Sequence, residues 1–282
     1  MKIAFFGTSS FGESTLKELH KQYGIEFVVT GLAKPAHRGK KIVNTPIFEC
    51  AKSLGITRIY TPEKLTQEFE EYLQSIEYAV VVSYGKILPE RILKAVKGKF
   101  INLHPSSLPL FRGAAPIERT LEAGCNETVV CVINMQKELD AGEILIKEKY
   151  KILESDNAII LHEKFSKIGA NLIVNLIKNG INNVEIQDNS KATYAKKILK
   201  QELELQCVSK LYANQVVNKI RAFASYGYCF VFWENKRFKI LEAKISTMQL
   251  TPIDIKCIDG FVSPLLIRPE GKGDIKISDY QF

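Results

Sequence analysis

The residues best suited to do chemistry are an asparagine and a histidine two positions apart, in Phe100-Ile101-Asn102-Leu103-His104-Pro105. On an extended strand, side chains two apart share a face, so Asn102 and His104 point together while Ile101 and Leu103 face the other way. Pro105 has no N–H for a ladder and stops the strand just beyond them. A third polar group, Asp140, lies in Leu139-Asp140-Ala141-Gly142, a turn-like stretch between two apolar runs from which a carboxylate can reach the same place. An amide, an imidazole and a carboxylate suit acyl transfer to an amine. The first two stabilise the oxyanion that attack creates, and the carboxylate orients the imidazole or a water. Spacing alone leaves a plainer reading equally open, with Asn102 closing the strand, His104 satisfied in the core and Asp140 serving the turn.

The surrounding pattern says what must position these groups. Residues 2–6 form an apolar run ending at Gly7, and residues 12–19 carry a helical period, so the chain opens strand, turn, helix. Strands are expected at 26–33 and 78–83, with helical patterns at 47–54 and 66–74 between them. This alternation predicts an α/β fold with a doubly wound, mostly parallel sheet. The strand at 100–103 and the runs 129–134 and 143–150 complete it. A helix capped by Ser155 or Asp156 then runs through Ile160, Phe165, Ile168, Leu172 and Leu176 to Gly180. Ligands of such sheets bind beyond the carboxyl ends of the strands, where Asn102 and His104 lie.

Polar residues 185–203 read as a linker, so the expected organisation is a catalytic domain at 1–184 and a second domain at 204–282. After a helical stretch ending near Phe223, short aromatic runs at 228–233, 238–243 and 260–267 predict a small β-rich body.

Composition narrows the class. A chain of 282 residues, 46% hydrophobic, buries a substantial core. No run approaches the roughly 18 apolar residues of a membrane span. Gly7 arrives too early for a secretory core, so the expectation is an unprocessed cytoplasmic protein without a membrane. The six cysteines form no C-x-x-C pair and the four histidines lie far apart, so no metal is expected. A net charge of +8 favours an anionic partner. The turn Gly7-Thr8-Ser9-Ser10-Phe11-Gly12-Glu13-Ser14 fails as a nucleotide loop. Ser9 replaces the second glycine of a dinucleotide fingerprint, and Glu13 stands where a phosphate loop needs lysine.

The run Asn102-Leu103-His104-Pro105-Ser106-Ser107-Leu108-Pro109, then Phe111-Arg112-Gly113-Ala114-Ala115-Pro116-Ile117, with Asp140-Ala141-Gly142 downstream, resembles the folate-dependent formyltransferases. Within that family, Arg-Gly-Ala-Ala-Pro is similar to the methionyl-tRNA formyltransferases. The likeness extends to Ile3-Ala4-Phe5-Phe6-Gly7-Thr8, Ser83-Tyr84-Gly85-Lys86-Ile87-Leu88-Pro89, Thr193-Tyr194-Ala195-Lys196-Lys197 and Ile220-Arg221-Ala222-Phe223. It implies a catalytic trio of Asn102, His104 and Asp140. It also implies a folate-contacting loop at Ser106, Ser107, Leu108 and Pro109, and a pterin pocket lined by backbone around Tyr84, Gly85 and Ile87. The implied co-substrate is 10-formyltetrahydrofolate, the acceptor is initiator Met-tRNA, and the protein acts as a monomer. The resemblance further implies an OB-like β-barrel for the tail. Four positive charges fall within residues 34–41, and Arg38, Lys40 and Lys41 match the family's loop that contacts the tRNA acceptor end. The readings that compete are formyl transfer to an amino sugar nucleotide or other small amine, and a non-catalytic RNA-binding protein.

Overall fold

A computed structural model describes every residue except 37–40 and 206–207. Its contacts divide the chain into two compact units. The first contains residues 1–112, 129–150 and 162–193; the second contains 113–128, 151–161 and 194–282.

The first unit is built on β1 (Ile3–Gly7), β2 (Phe27–Val29), β3 (Lys34–Ala36), β4 (Lys41–Val43), β5 (Ile59–Tyr60), β6 (Tyr78–Val82) and β7 (Lys99–His104). β3 and β4 pair with each other as an antiparallel ribbon. The remainder form a parallel ladder in the order β7-β6-β1-β2-β5. The chain winds outward from β1 through β2 to β5, then returns to place β6 and β7 on the other side. The winding direction therefore changes between β1 and β6, where open α/β sheets leave a crevice.

Helices α1 (Glu13–Tyr23), α2 (Pro46–Ser53), α3 (Gln67–Leu73) and α4 (Glu90–Ala95) follow in the crossovers. α3 and α4 bury Phe69, Leu73 and Ile92 against Ala4, Phe6, Ala79, Val81 and Phe100 on one sheet face. Phe6 sits edge-on to Phe100, Tyr84 and Phe69, with centroids 5.3, 5.6 and 6.4 Å away. Edge-to-face packing suits the ring quadrupole and locks β1 to β6 and β7.

Past β7 come β8 (Arg112–Gly113), α5 (Pro116–Glu122), β9 (Glu127–Asn134), β10 (Ile144–Lys151) and α6 (Ala158–Asn179). β9 adds antiparallel to β7, pairing Asn102 with Ile133 and His104 with Cys131, and β10 closes that edge. α6 lies on the Ile101–Leu103 face. A Cβ on Gly169 would fall 2.2 Å from a Leu103 methyl, so only glycine lets helix and strand approach this closely. The cap of α6 differs from expectation: Asn157 Oδ1 accepts from Ile160 N at 3.0 Å. Asp156 is occupied one turn earlier, accepting from Leu153 N at 2.9 Å.

The second unit carries β11 (Tyr194–Ala195), α7 (Ala213–Ala222), β12 (Cys229–Trp233), β13 (Lys236–Ser246), β14 (Ile255–Cys257), β15 (Gly260–Pro269) and β16 (Ile275–Lys276). Strands β12 to β16 form one antiparallel five-stranded sheet, the curled β-barrel type expected for the tail. α7 covers it with Val216 and Ile220 buried, while Phe238, Ile240, Val262 and Ile267 fill the opposing face.

Candidate functional site

Strand β7 presents Phe100, Asn102 and His104 on one face, as the alternation requires. Phe100 is held in the aromatic core, so the two polar residues emerge just beyond it. Asp140, in the β9–β10 connection, comes to meet them. Asn102 Nδ2 donates to Asp140 Oδ1 at 3.4 Å, and His104 Nδ1 lies 3.6 Å from Asp140 Oδ2. All three expected residues converge across 38 residues of sequence.

His104 is 3% exposed and held on three sides. Its Nε2 lies 3.1 Å from the Phe111 carbonyl oxygen. A carbonyl only accepts, so Nε2 is the donor wherever this contact is a hydrogen bond, and Nδ1 is the nitrogen turned toward the Asp140 carboxylate. The His104 carbonyl accepts from Cys131 Sγ at 3.2 Å, and burial pushes that thiol well above its ordinary range, which makes it an inert donor.

Backbone conformation aims Asp140. Its φ is 51°, in the left-handed region that Asp tolerates better than most residues. Two residues after it, a Cβ on Gly142 would fall 1.6 Å from the Asn134 carbonyl oxygen, so this position demands glycine. The turn is also held from outside. Gln187 Nε2 donates to the carbonyls of Asp140 and Gly142 at 2.8 and 2.6 Å. Gln187 Oε1 accepts from Arg112 Nε and Nη2 at 3.2 and 2.7 Å. Sequence reading missed Gln187, which lies in a polar run taken as linker; its signal exists only in the folded contacts.

The segment after His104 is less uniform than expected. Ser106 is fully buried and donates to the Leu110 carbonyl at 2.8 Å, while Leu108 packs with Cys131, Ile133 and Ile144. Ser107 and Pro109 are half-exposed. At the carboxyl end of β6, the Tyr84 side chain is buried in the aromatic core and its carbonyl accepts from Thr8 Oγ1 at 2.7 Å. Gly85 turns at φ 72° and Ile87 is 91% exposed. A pocket of about 250 Å³ opens along this loop, lined by Leu65, Tyr84, Lys86, Ile87 and Arg91 among others. Asn102, His104 and Asp140 do not line it. Arg38 and Lys40 lie outside the described residues; Lys41 opens β4.

In the second unit, strand register assembles a different surface. Phe230 pairs with Lys239 and Phe232 with Arg237, and Lys239 pairs in turn with Arg268. Directly paired residues share a face, so cations and aromatics stand together across three strands. Arg237 lies 5.7 Å over the Phe230 ring, and Arg268 lies 5.6 Å over Tyr228 while pairing with Asp274. Burial first, then the Arg268 and Arg237 charges, hold the Lys239 ammonium below its ordinary range.

A polar trio at the carboxyl edge of a doubly wound sheet, followed by a small antiparallel body, defines a two-unit α/β group-transfer protein. The chain belongs to the formyl transferase family: residues 1–177 match its formyl transferase domain and 197–281 its C-terminal domain. It is 36% identical to the methionyl-tRNA formyltransferase of Sulfurihydrogenibium sp. (strain YO3AOP1), over all of this chain and 92% of that protein. To the same-named protein of Ehrlichia chaffeensis (strain ATCC CRL-10679 / Arkansas) it is 34% identical, over 99% of this chain and 96% of the relative. Among solved structures, a methionyl-tRNA formyltransferase from Clostridium thermocellum superposes with a TM-score of 0.63 at 18% identity, covering 98% of this chain and 99% of that one. A sugar 3N-formyltransferase, solved with dTDP and 5-N-formyl-THF, gives 0.71 at 19%, covering 97% and 99%. Likeness at these identities establishes the shared fold. Among the described residues no helix is long and apolar enough to cross a membrane.

Proposed function

We propose that this protein, acting as a monomer in the cytoplasm, transfers the formyl group of 10-formyltetrahydrofolate to the α-amino group of methionine on initiator tRNA. The observation that carries the reading is the convergence of Asn102, His104 and Asp140 in a chain alike from end to end to the methionyl-tRNA formyltransferases.

The chemistry follows from the geometry. The neutral methionine amine attacks the formyl carbon, a C–N bond forms and the carbonyl becomes an oxyanion. Asn102 Nδ2 is a preorganised donor for that oxygen. With the imidazole protonated, Nε2–H stays on the Phe111 carbonyl and Nδ1–H is left for the oxyanion or Asp140. Collapse breaks the bond to the folate N10, the nitrogen takes up a proton, and the attacking nitrogen loses one through the His104–Asp140 pair. Ser106 and Leu108 shape the donor's loop from within, Ser107 and Pro109 face the donor, and backbone around Tyr84, Gly85 and Ile87 receives the pterin.

Arg38, Lys40 and Lys41 contact the acceptor end of the tRNA. The Arg237, Lys239 and Arg268 face of the second unit suits the phosphate backbone, where cations release counterions and rings offer stacking platforms. Domain limits of 1–184 and 204–282 serve this division of labour, with the 185–203 linker packed on the first unit as far as Thr193.

The test is formyl transfer from 10-formyltetrahydrofolate with charged initiator Met-tRNA, free methionine, uncharged tRNA and a dTDP- or UDP-amino sugar as rival acceptors. Product on Met-tRNA alone is expected. Product on the sugar would move the protein to that branch, and RNA binding without turnover would leave a binding protein.

A further inference from the structure

Two of the three converging residues are held in place by one short segment far from them in sequence. Gln187 spends both amide hydrogens on the Asp140 turn, at 2.8 Å to the Asp140 carbonyl and 2.6 Å to that of Gly142. Its own oxygen is fixed by Arg112, which also donates to Asn189 Oδ1 at 2.7 Å. Six residues on, Thr193 Oγ1 accepts from Phe111 N at 2.9 Å, and the Thr193 carbonyl accepts from Arg112 N at 2.9 Å. Phe111, itself at φ 59°, carries the carbonyl that fixes His104 Nε2. Gln187 and Arg112 are 8% and 3% exposed, so these bonds compete little with water.

We propose that Gln187 is a positioning residue for the transfer reaction, holding the Asp140 carboxylate against Asn102 and His104 through the two carbonyls of its turn; this rests on the catalytic reading of the trio. A left-handed Asp backbone costs on the order of 1 kcal/mol or more and persists only where the surroundings over-determine it. Gln187 supplies that determination. A side-chain amide is the group the geometry requires. Its NH₂ serves two acceptors while its oxygen serves the Arg112 fork, a division that neither a carboxylate nor an ammonium can make.

Gln187→Glu isolates the role. The carboxylate keeps an acceptor for Arg112 but presents an anionic oxygen to two carbonyl oxygens, so the Asp140 turn is pushed away. Gln187→Met, of similar length and without donors, is the second variant should the first fail to fold. The measurements are kcat and KM for formyl donor and Met-tRNA, the pH–rate profile, and melting temperature, in the wild-type and Asp140→Asn backgrounds. The expected result is a loss in kcat of roughly tenfold to a hundredfold with both KM values within about twofold. A displaced pH–rate profile and little further loss in the Asp140→Asn background should accompany it, because residues acting as a unit are non-additive. Merely structural damage would lower the melting temperature and add in full to Asp140→Asn. An active wild type with folded Gln187 variants keeping kcat within twofold, or with full additivity, overturns the inference alone. A wild type that transfers nothing overturns the functional reading and this inference together.

Discussion

The trio in the first unit and the cation–aromatic face of the second handle polar groups in opposite ways. Around Asn102, His104 and Asp140 each group is buried or nearly so, and its orientation is dictated by a named partner: Phe111 for His104, Gln187 for the Asp140 turn. On the β12-β13-β15 face, Arg237, Lys239 and Arg268 are half-exposed and organised by strand register with rings beneath them. An oxyanion must be met within tenths of an ångström, whereas a phosphate backbone rewards charge density and tolerates displacement. Substitutions in the first place should therefore act on kcat, and in the second on KM and salt dependence.

The largest effect tests the first half. Asn102→Ala is expected to lower kcat about 10²- to 10³-fold with the tRNA KM nearly unchanged, the size found when one oxyanion donor is removed. Single-turnover formyl transfer measures it; turnover within threefold of the wild type would remove Asn102 from the reaction. Gly142→Ala comes next. A methyl placed 1.6 Å from the Asn134 carbonyl forces the turn to move, costing about 1–3 kcal/mol or more and displacing Asp140. Denaturant unfolding and kcat should fall together.

The contrast also explains what the sequence made legible. The alternation in Phe100-Ile101-Asn102-Leu103-His104 is a local signal, and the face it predicts is the face observed. The parallel sheet follows from similarly local runs. α4 and α5 escaped the sequence reading: α4 holds only six residues, and Pro89 and Pro116 are the marks at their starts. The cap of α6 moved to Asn157 because the Asp156 carboxylate serves Leu153 instead. Gln187 was illegible for a deeper reason. Its partner Arg112 lies 75 residues away, and a polar residue in a polar run carries no mark of the buried fork it will meet.

The second half breaks or sharpens at Lys239 and Arg237. Replacing both by Gln should raise the KM for Met-tRNA about tenfold, leave kcat unchanged, and reduce the slope of log affinity against log salt by about one per phosphate-contacting cation lost. Unchanged KM and slope would place the RNA elsewhere. A fall in kcat at saturating tRNA would mean that this face, too, governs geometry.

The smallest effect lies in the first unit, where burial works against a polar group instead of for it. The Tyr84 hydroxyl is buried and has no hydrogen-bond partner among the described residues, while its ring packs on Phe6. An unpaired buried hydroxyl costs about 1–3 kcal/mol, so Tyr84→Phe should stabilise the folded chain by roughly 1 kcal/mol. Burial also pushes the phenol up to about 12, against an ordinary value near 10 in the unfolded chain. The sign is fixed by linkage. Below pH 10 both states hold the proton and the stability gap between variant and wild type is constant. As pH rises toward 12 the unfolded wild type releases a proton that the folded one retains, so wild-type stability falls and the gap widens. Chemical unfolding of the two proteins between pH 8 and about 11.5 measures the gap. A gap that stays flat with pH would mean that Tyr84 is solvated or hydrogen-bonded in solution.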